Sequence, residues 1–582
     1  MGGRVDADRP AVTPAGGLPD GIALPRTART ALLVVPLAFL ALFYAWPLVT
    51  LLAEVVDGSA VSDTLGRSGL AGVVWFTCWQ AVASTVATLV AGLLPTYLVA
   101  RWEFPGRRLL TALVTVPFLL PTVVVGAAFI ALLPERWETS ASAIVVAHVF
   151  FNVAVVVRVV GGVWSQLPPD LVHAARVLGA SPWQATREIT LPLLRPAITA
   201  AASITFLFTF TSFGVVQILG GPSRVTIEVE IARRATQLGD IGGAAVLSML
   251  QLLLLVTMVA VTVRAQRRAT TALGLHRRAL PTARGSRDRV IVLGGALVTA
   301  ALITAPLAAL AVSSLRPGGQ WSLTAWRSFG GHAPVRPGAD LAVDAIAAIG
   351  ASLRAAALAT VVAVVIGALA ALAISSARAG GRLLDLGSML PLGTSAVTIG
   401  FGMLITFDRA PFDWRGEPWL VPIGHALVAI PFVVRATLPV LRARPAGWRE
   451  AAAVLGASPL RAWWEVDVRL LGRPLVVGAC FAAAISLGEF GATTLLSRSG
   501  DETLPVVIGR LLGRAGDVPR AQASALALVL AAVTTIVLVG VERLDRPATE
   551  RGALDEVRSR ADRREHGSGP RRNRGGARAG GT

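Results

Sequence analysis

The sequence predicts an all-α polytopic membrane protein with about twelve transmembrane helices, built as two parallel six-helix repeats about a pseudo-twofold axis along the membrane normal. Three observations predict it. Of 582 residues, 54% are hydrophobic and only 15% charged, with a mean hydropathy of +0.65, a balance no ordinary soluble domain carries. The apolar residues gather into runs near the length of about 20 that a bilayer core requires of a helix. Residues of one half also recur in the other at nearly constant spacing: His148 with His425, Val156-Val-Arg158 with Val433-Val-Arg435, and Arg101 with Arg378, all 277 positions apart.

Twelve runs qualify, near 31–53, 72–100, 109–133, 141–164, 197–220, 241–263, 290–312, 352–375, 383–407, 419–441, 474–496 and 521–540. Pro117, Pro121, Gly126, Pro391 and Gly400 lie inside them, which membrane helices tolerate because neighbours satisfy the freed backbone groups. Between the sixth and seventh runs, residues 264–289 hold eight arginines and one acid, Asp288. The connections 101–108 and 377–382 are also basic, whereas 54–70 carries Glu54, Asp57 and Asp63 against Arg67. Arginine bias places even-numbered connections and both termini in the cytoplasm, and the connections 219–240 and 497–520 outside. The expected organisation is a disordered polar leader (1–28), a first half (29–263) with a polar loop at 165–196, and a basic linker (264–289). A second half (290–543) with a polar loop at 442–473 and a disordered tail (544–582) follow.

All 54 basic residues are arginine. A phosphate-cradling P-loop needs a lysine, so this chain carries no such nucleotide site. The net charge of +19 resides largely in connections and tail, which points to a bilayer and not to nucleic acid. Cys78 and Cys480 lie in apolar runs without partner spacing and are read as packing residues.

The most informative stretch occurs twice. Val177-Leu-Gly-Ala-Ser-Pro182 recurs unchanged as Val454-Leu-Gly-Ala-Ser-Pro459, and Glu188 recurs as Glu465. Gly179 suits a left-handed C-terminal cap; Ser181, Pro182 and Gln184 fit N-cap, first position and the third position of a capping box. Ser458 and Pro459 repeat the cap around Gly456, with Arg461 in place of the glutamine. Each island is therefore expected to be two short helices joined by a rigid elbow, able to pass a push from a soluble partner into a bundle.

The islands resemble a known signature. Ala174-Ala175, Gly179, Ile189 and Leu191-Pro192 match the "EAA…G…I.LP" pattern of bacterial ATP-binding-cassette importer permeases, and Glu450-Ala451-Ala452 with Gly456 match it again. His173 stands where the first glutamate is expected, and Val466, Val468 and Arg469 replace the end of the second copy. The resemblance implies that His173 to Pro192 and Glu450 to Arg469, including Ser181, Pro182, Glu188, Ser458, Pro459 and Glu465, form coupling helices against a separate, homodimeric ATPase. It further implies an extracytoplasmic solute-binding protein, residence in the bacterial inner membrane, ATP bound by the partner, and no cofactor on this chain. The fused arrangement resembles the thiamine and ferric-iron branch, with Thr211 to Gly221 and Thr226-Ile-Glu228 most like thiamine permeases. Such a subunit is not itself an enzyme.

Asn152, Ser212, Gln217, Ser486 and Glu489 are the candidate path residues. An acid inside an apolar run is costly, about 2.5 kcal/mol or more at a helix centre, so Glu489 is expected to face protein or a watery path, where a cationic solute would meet it. His148 and His425 lack metal-ligand spacing, and packing or helix-to-helix hydrogen bonding is expected of them. An autonomous twelve-helix secondary transporter is the alternative. It would need no dock and would usually offer midplane ionisable residues for ion coupling. A membrane enzyme lacks any catalytic cluster.

Overall fold

A computed structural model describes residues 26–56, 59–66, 69–269, 280–283, 285–330, 333–336, 339–341, 344–376, 380–409, 412–445, 447–498 and 500–545. The expectations for the leader up to residue 25, for 270–279 of the linker and for the tail beyond 545 lie outside these residues.

The described chain is overwhelmingly helical, with two small antiparallel hairpins (Ala333–Arg336 with Ala339–Leu341, and Asp408–Arg409 with Phe412–Asp413). Among the described residues, nine helices are long and apolar enough to cross a membrane, or up to twelve if each of three bent pairs is one span. Four of the twelve expected runs are not single helices. The run near 109–133 is Arg107–Leu119 and Thr122–Leu132, bent by 105°, and the run near 383–407 is Gly380–Gly393 and Ala396–Phe407, bent by 102°. Proline explains the first: Leu120 precedes Pro121 and is extended at ψ 143°, since a residue before proline is pushed out of the helical region. At the second, Ser395 (ψ 141°) caps a new helix by accepting the Val397 and Thr398 N–H groups, an N-cap in the middle of an apolar run. The runs near 197–220 and 474–496 break after Phe210 and Gly488 and resume as the short helices Gly214–Leu219 and Gly491–Leu496.

The paired long helices of the two halves repeat. Leu70–Arg101 packs on Ala141–Trp164, and Ala345–Ser376 packs on Leu420–Ala443. Gly92 and Gly367 make these contacts possible. A Cβ at Gly92 would fall 2.8 Å from Val156, and one at Gly367 2.8 Å from Val433, so each helix pair closes through a missing side chain. Val156 and Val433 belong to the tripeptide whose recurrence the sequence displays.

The halves also exchange their first helices. The segment Arg26–Val56 packs on Ala345–Ser376 and Ala396–Phe407 of the second half, and Ser286–Leu315 packs on Thr122–Leu132 and Leu70–Arg101 of the first. One apolar cluster accordingly joins Leu32, Leu40 and Leu51 to Ala363, Phe401 and Val433. A second joins Val123 and Ala127 to Leu310 and Leu526.

Contacts separate two ends. Gly161, just before the first island, lies beside Ala100, and the Glu103 N–H donates to the Pro281 carbonyl at 3.0 Å, so the basic connections share the island end. Arg520 reaches Glu138 at 3.3 Å, Arg409 reaches Glu54 at 3.2 Å and Arg354 reaches Asp501 at 3.1 Å at the other. The connections 219–240 and 497–520 lie at that second end, yet are not open loops. Ile227–Arg233 and Leu504–Leu512 are helices that bury Ile227, Ile231, Val507 and Ile508.

Candidate functional site: twin elbows and a central cavity

Both islands fold as the spacing predicts. Pro169–Val177 turns into Pro182–Ala185, and Gly447–Val454 into Pro459–Ala462. Gly179 and Gly456 sit at φ +92° and +84°, and the Ala180 and Ala457 N–H groups donate back to the Ala175 and Ala452 carbonyls, closing left-handed glycine caps. Ser181 and Gln184 form the complete capping box, while Ser458 caps alone. Each elbow is followed by a π-helical turn, Thr186–Thr190 and Trp463–Val468, containing Glu188 and Glu465. Such turns recur at functional sites.

The elbows present apolar side chains that nothing among the described residues covers. Val177 and Leu178 are 87% and 88% exposed, and Val454 and Leu455 are 88% and 87% exposed. Trp183, Trp464 and Trp448 are also exposed, as are His173, Ala174, Glu188, Leu191, Glu450 and Ala451, with Ala175, Ile189, Pro192, Ala452 and Glu465 half-buried. Exposed apolar patches of this kind mark protein-protein contacts.

The elbows are anchored differently. In the second, the buried Asp467 carboxylate accepts from Arg449 Nε at 2.7 Å and from Arg444. The positions 277 residues earlier are Thr190, Val172 and Leu167, so an ionic brace in one island is replaced by neutral packing in the other. The departure of the second signature copy from its usual ending coincides with this brace.

Between the halves lies a cavity of about 280 Å³. Asn152, Ser212 and Glu489 line it, with His148, Thr122, Phe151, Phe208, Phe213, Glu228 and Phe490. Gln217 does not. It is exposed and lines a second cavity of about 270 Å³ with Thr494, Arg510 and the other side of Phe490. Ser486 is not among the lining residues either; its hydroxyl bonds His425 Nδ1 at 2.7 Å. The His425 Nε2 bonds Thr493 at 2.7 Å, and His148 is held likewise between Ser84 and Ser212 at 3.1 and 2.9 Å. The repeated histidines are thus helix-to-helix hydrogen-bond hubs.

Glu489 stands at the break in its run, not within a helix. Its carboxylate accepts the Ala492 and Thr493 N–H groups at 3.1 and 3.0 Å, satisfying the open N-terminus of Gly491–Leu496. Sequence reasoning missed Glu228, which lines the central cavity. It lies in a stretch assigned to an outer connection, on the buried helix Ile227–Arg233, and accepts from Gln251 at 2.6 Å and Ser395 at 2.7 Å. Its usable signal was an acid flanked by Ile227 and Ile231, whose spacing already describes an apolar helix face.

Comparison with known proteins decides the family. Residues 89–270 and 363–548 each match the binding-protein-dependent transport system inner membrane component. The chain belongs to that family. Two matched segments on the two structural repeats make it a fused permease of the inner membrane, working with a solute-binding protein and an ATPase. Similar curated proteins are the thiamine transport system permease proteins ThiP of Brucella abortus (strain 2308), 27% identical over 87% of this permease and 94% of that protein, and of Salmonella typhimurium (strain LT2), 26% identical over 76% and 83%. The sulfate transport system permease protein CysT of Escherichia coli (strain K12) is 33% identical, over 25% of this permease and 57% of that protein.

Proposed function

We propose that this permease forms the translocation path for thiamine in an ATP-driven importer. In this reading the twin elbows face the cytoplasm, each seated on one copy of a homodimeric ATPase, and both termini are cytoplasmic. The observation that carries the transport mechanism is the pair of elbows. Two rigid helix corners, each with a left-handed glycine and a serine N-cap and each tipped with an uncovered Val-Leu pair, suit a partner presenting the same groove twice. The basic connections share their end of the bundle, in keeping with arginine retention in the cytoplasm.

The substrate reading rests on the thiamine permeases that match over most of the chain and on the chemistry of the central cavity. Two carboxylates line it and no arginine does among the described residues, which suits a cation and disfavours sulfate. Its four phenylalanine rings offer flat apolar faces to an aromatic solute, which a ferric ion would not use. Proteoliposomes containing the permease, its ATPase and its binding protein test this against thiamine, ferric iron and sulfate. Saturable, ATP-dependent uptake of thiamine alone is the expected result; uptake of only another solute overturns the substrate.

A further inference from the structure

We propose that Glu228 and Glu489 form a two-carboxylate transit site for an aromatic organic cation at the interface of the halves, with Phe213 and Phe490 as its ring wall. This deepens the thiamine reading and rests on it.

The two acids arrive from different halves and from non-equivalent positions. Glu489 corresponds by repeat to Ser212, and Glu228 to Pro505. Both are buried, at 7% and 1% exposure, and both line one cavity of about 280 Å³. The donors to each are neutral. Glu228 receives the Gln251 amide and the Ser395 hydroxyl. Glu489 receives two backbone N–H groups and the Thr493 hydroxyl, with His425 Nε2 3.5 Å away and already engaged by Thr493. Neutral donors fix where the carboxylates point without cancelling their charge. Two such buried groups are expensive unless a cation joins them.

The wall fits the same ligand. Phe213 and Phe490 are repeat equivalents, 277 positions apart, and their rings meet at 5.2 Å, tilted by 42°. Residues related by a pseudo-twofold axis can touch each other only close to that axis, so this pair marks the centre of the bundle. Phe490 also lines the second cavity, on the Gln217 and Arg510 side. Phe490 therefore stands between the acidic cavity and a second one of similar size, and against the ring pair an aromatic cation is held by stacking and cation–π attraction as well as by the acids. Ring faces and paired carboxylates together select a flat aromatic cation over a neutral ring of the same shape.

Equilibrium binding to the permease–ATPase complex in nanodiscs, without the binding protein, tests this. The probes are radiolabelled thiamine and its uncharged analogue with carbon in place of the charged ring nitrogen. Wild type is expected to bind thiamine about tenfold or more tightly than the analogue, the size of one desolvated charge pair. Glu228→Gln and Glu489→Gln should each remove most of that preference, and Glu228→Asp should restore part of it. Phe490→Leu should weaken both ligands. Equal affinity for the two ligands, no saturable thiamine binding, or a preference that survives both Gln variants overturns the site. Should Glu228→Gln fail to copurify with the ATPase, Glu489→Gln and Glu228→Asp decide alone. Failure of thiamine uptake by the complete wild-type system overturns the thiamine reading itself, whereas uptake with an unchanged charge preference in the variants rejects only the site.

Discussion

Glu489 and Asp467 show how far single residues could be read. Both are buried acids, and the sequence marks Glu489 as costly without showing that it caps a helix that starts two residues on. Asp467 attracts no notice in the sequence, because its partners are Arg449, 18 positions away, and Arg444, 23 positions away. Removing one partner of such a buried group costs about 3–5 kcal/mol. Asp467→Asn should therefore lower the unfolding midpoint and expose the second island to protease while leaving cleavage at the first unchanged. Equal loosening of both islands would contradict the brace. Glu138, at the opposite end, gives a pH prediction. Burial raises its carboxyl above the ordinary range, against the opposing pull of Arg520. The folded state then binds this proton more readily than the unfolded chain, so its contribution is full below the ordinary carboxyl range and is lost as pH rises through the raised value. Melting curves across that window should show stability falling with rising pH, and Glu138→Gln should flatten the slope; an unchanged slope would assign it elsewhere.

At the scale of elements, the elbows were legible and the breaks were not. Gly-Ala-Ser-Pro states a cap, a stop and a restart in four letters, whereas the apolar runs look continuous wherever a helix bends inside the membrane. Proline alone does not mark the bends. Pro117 stays within its helix and Pro121 starts the break, and the second half bends at Ser395 without a proline at that position. The repeated Gly126 and Gly400 were visible, but their reason is tertiary: the second limb of each bent pair lies against a short helix of the broken run. A Cβ at Gly400 would fall 2.7 Å from the Ala492 Cα, and one at Gly126 2.9 Å from the Ile218 Cδ1. Backbone cannot yield as a side-chain tip can, and overpacking costs about 1–3 kcal/mol. Gly400→Ala should thus lower thermal stability more than Gly126→Ala; the reverse order, measured in the same detergent, would contradict this packing.

For the whole molecule, the repeat was plain in the sequence, while the exchange of first helices was not, since periodicity within a helix does not name the helix it will meet. That exchange ties the two halves, and with them the two elbows, into one body around the central cavity. ATP hydrolysis on a partner is expected to drive this body through its elbows. The direct measurement is thiamine uptake into proteoliposomes carrying permease, ATPase and binding protein, for wild type and for Gly179→Pro combined with Gly456→Pro. Proline, with φ fixed near −65°, cannot occupy a left-handed cap. Wild-type uptake should require ATP and the binding protein, and the double variant should insert normally, keep hydrolysing ATP and lose uptake. Uptake by the permease alone on an ion gradient, or full ATP-driven uptake by the double variant, would contradict the account.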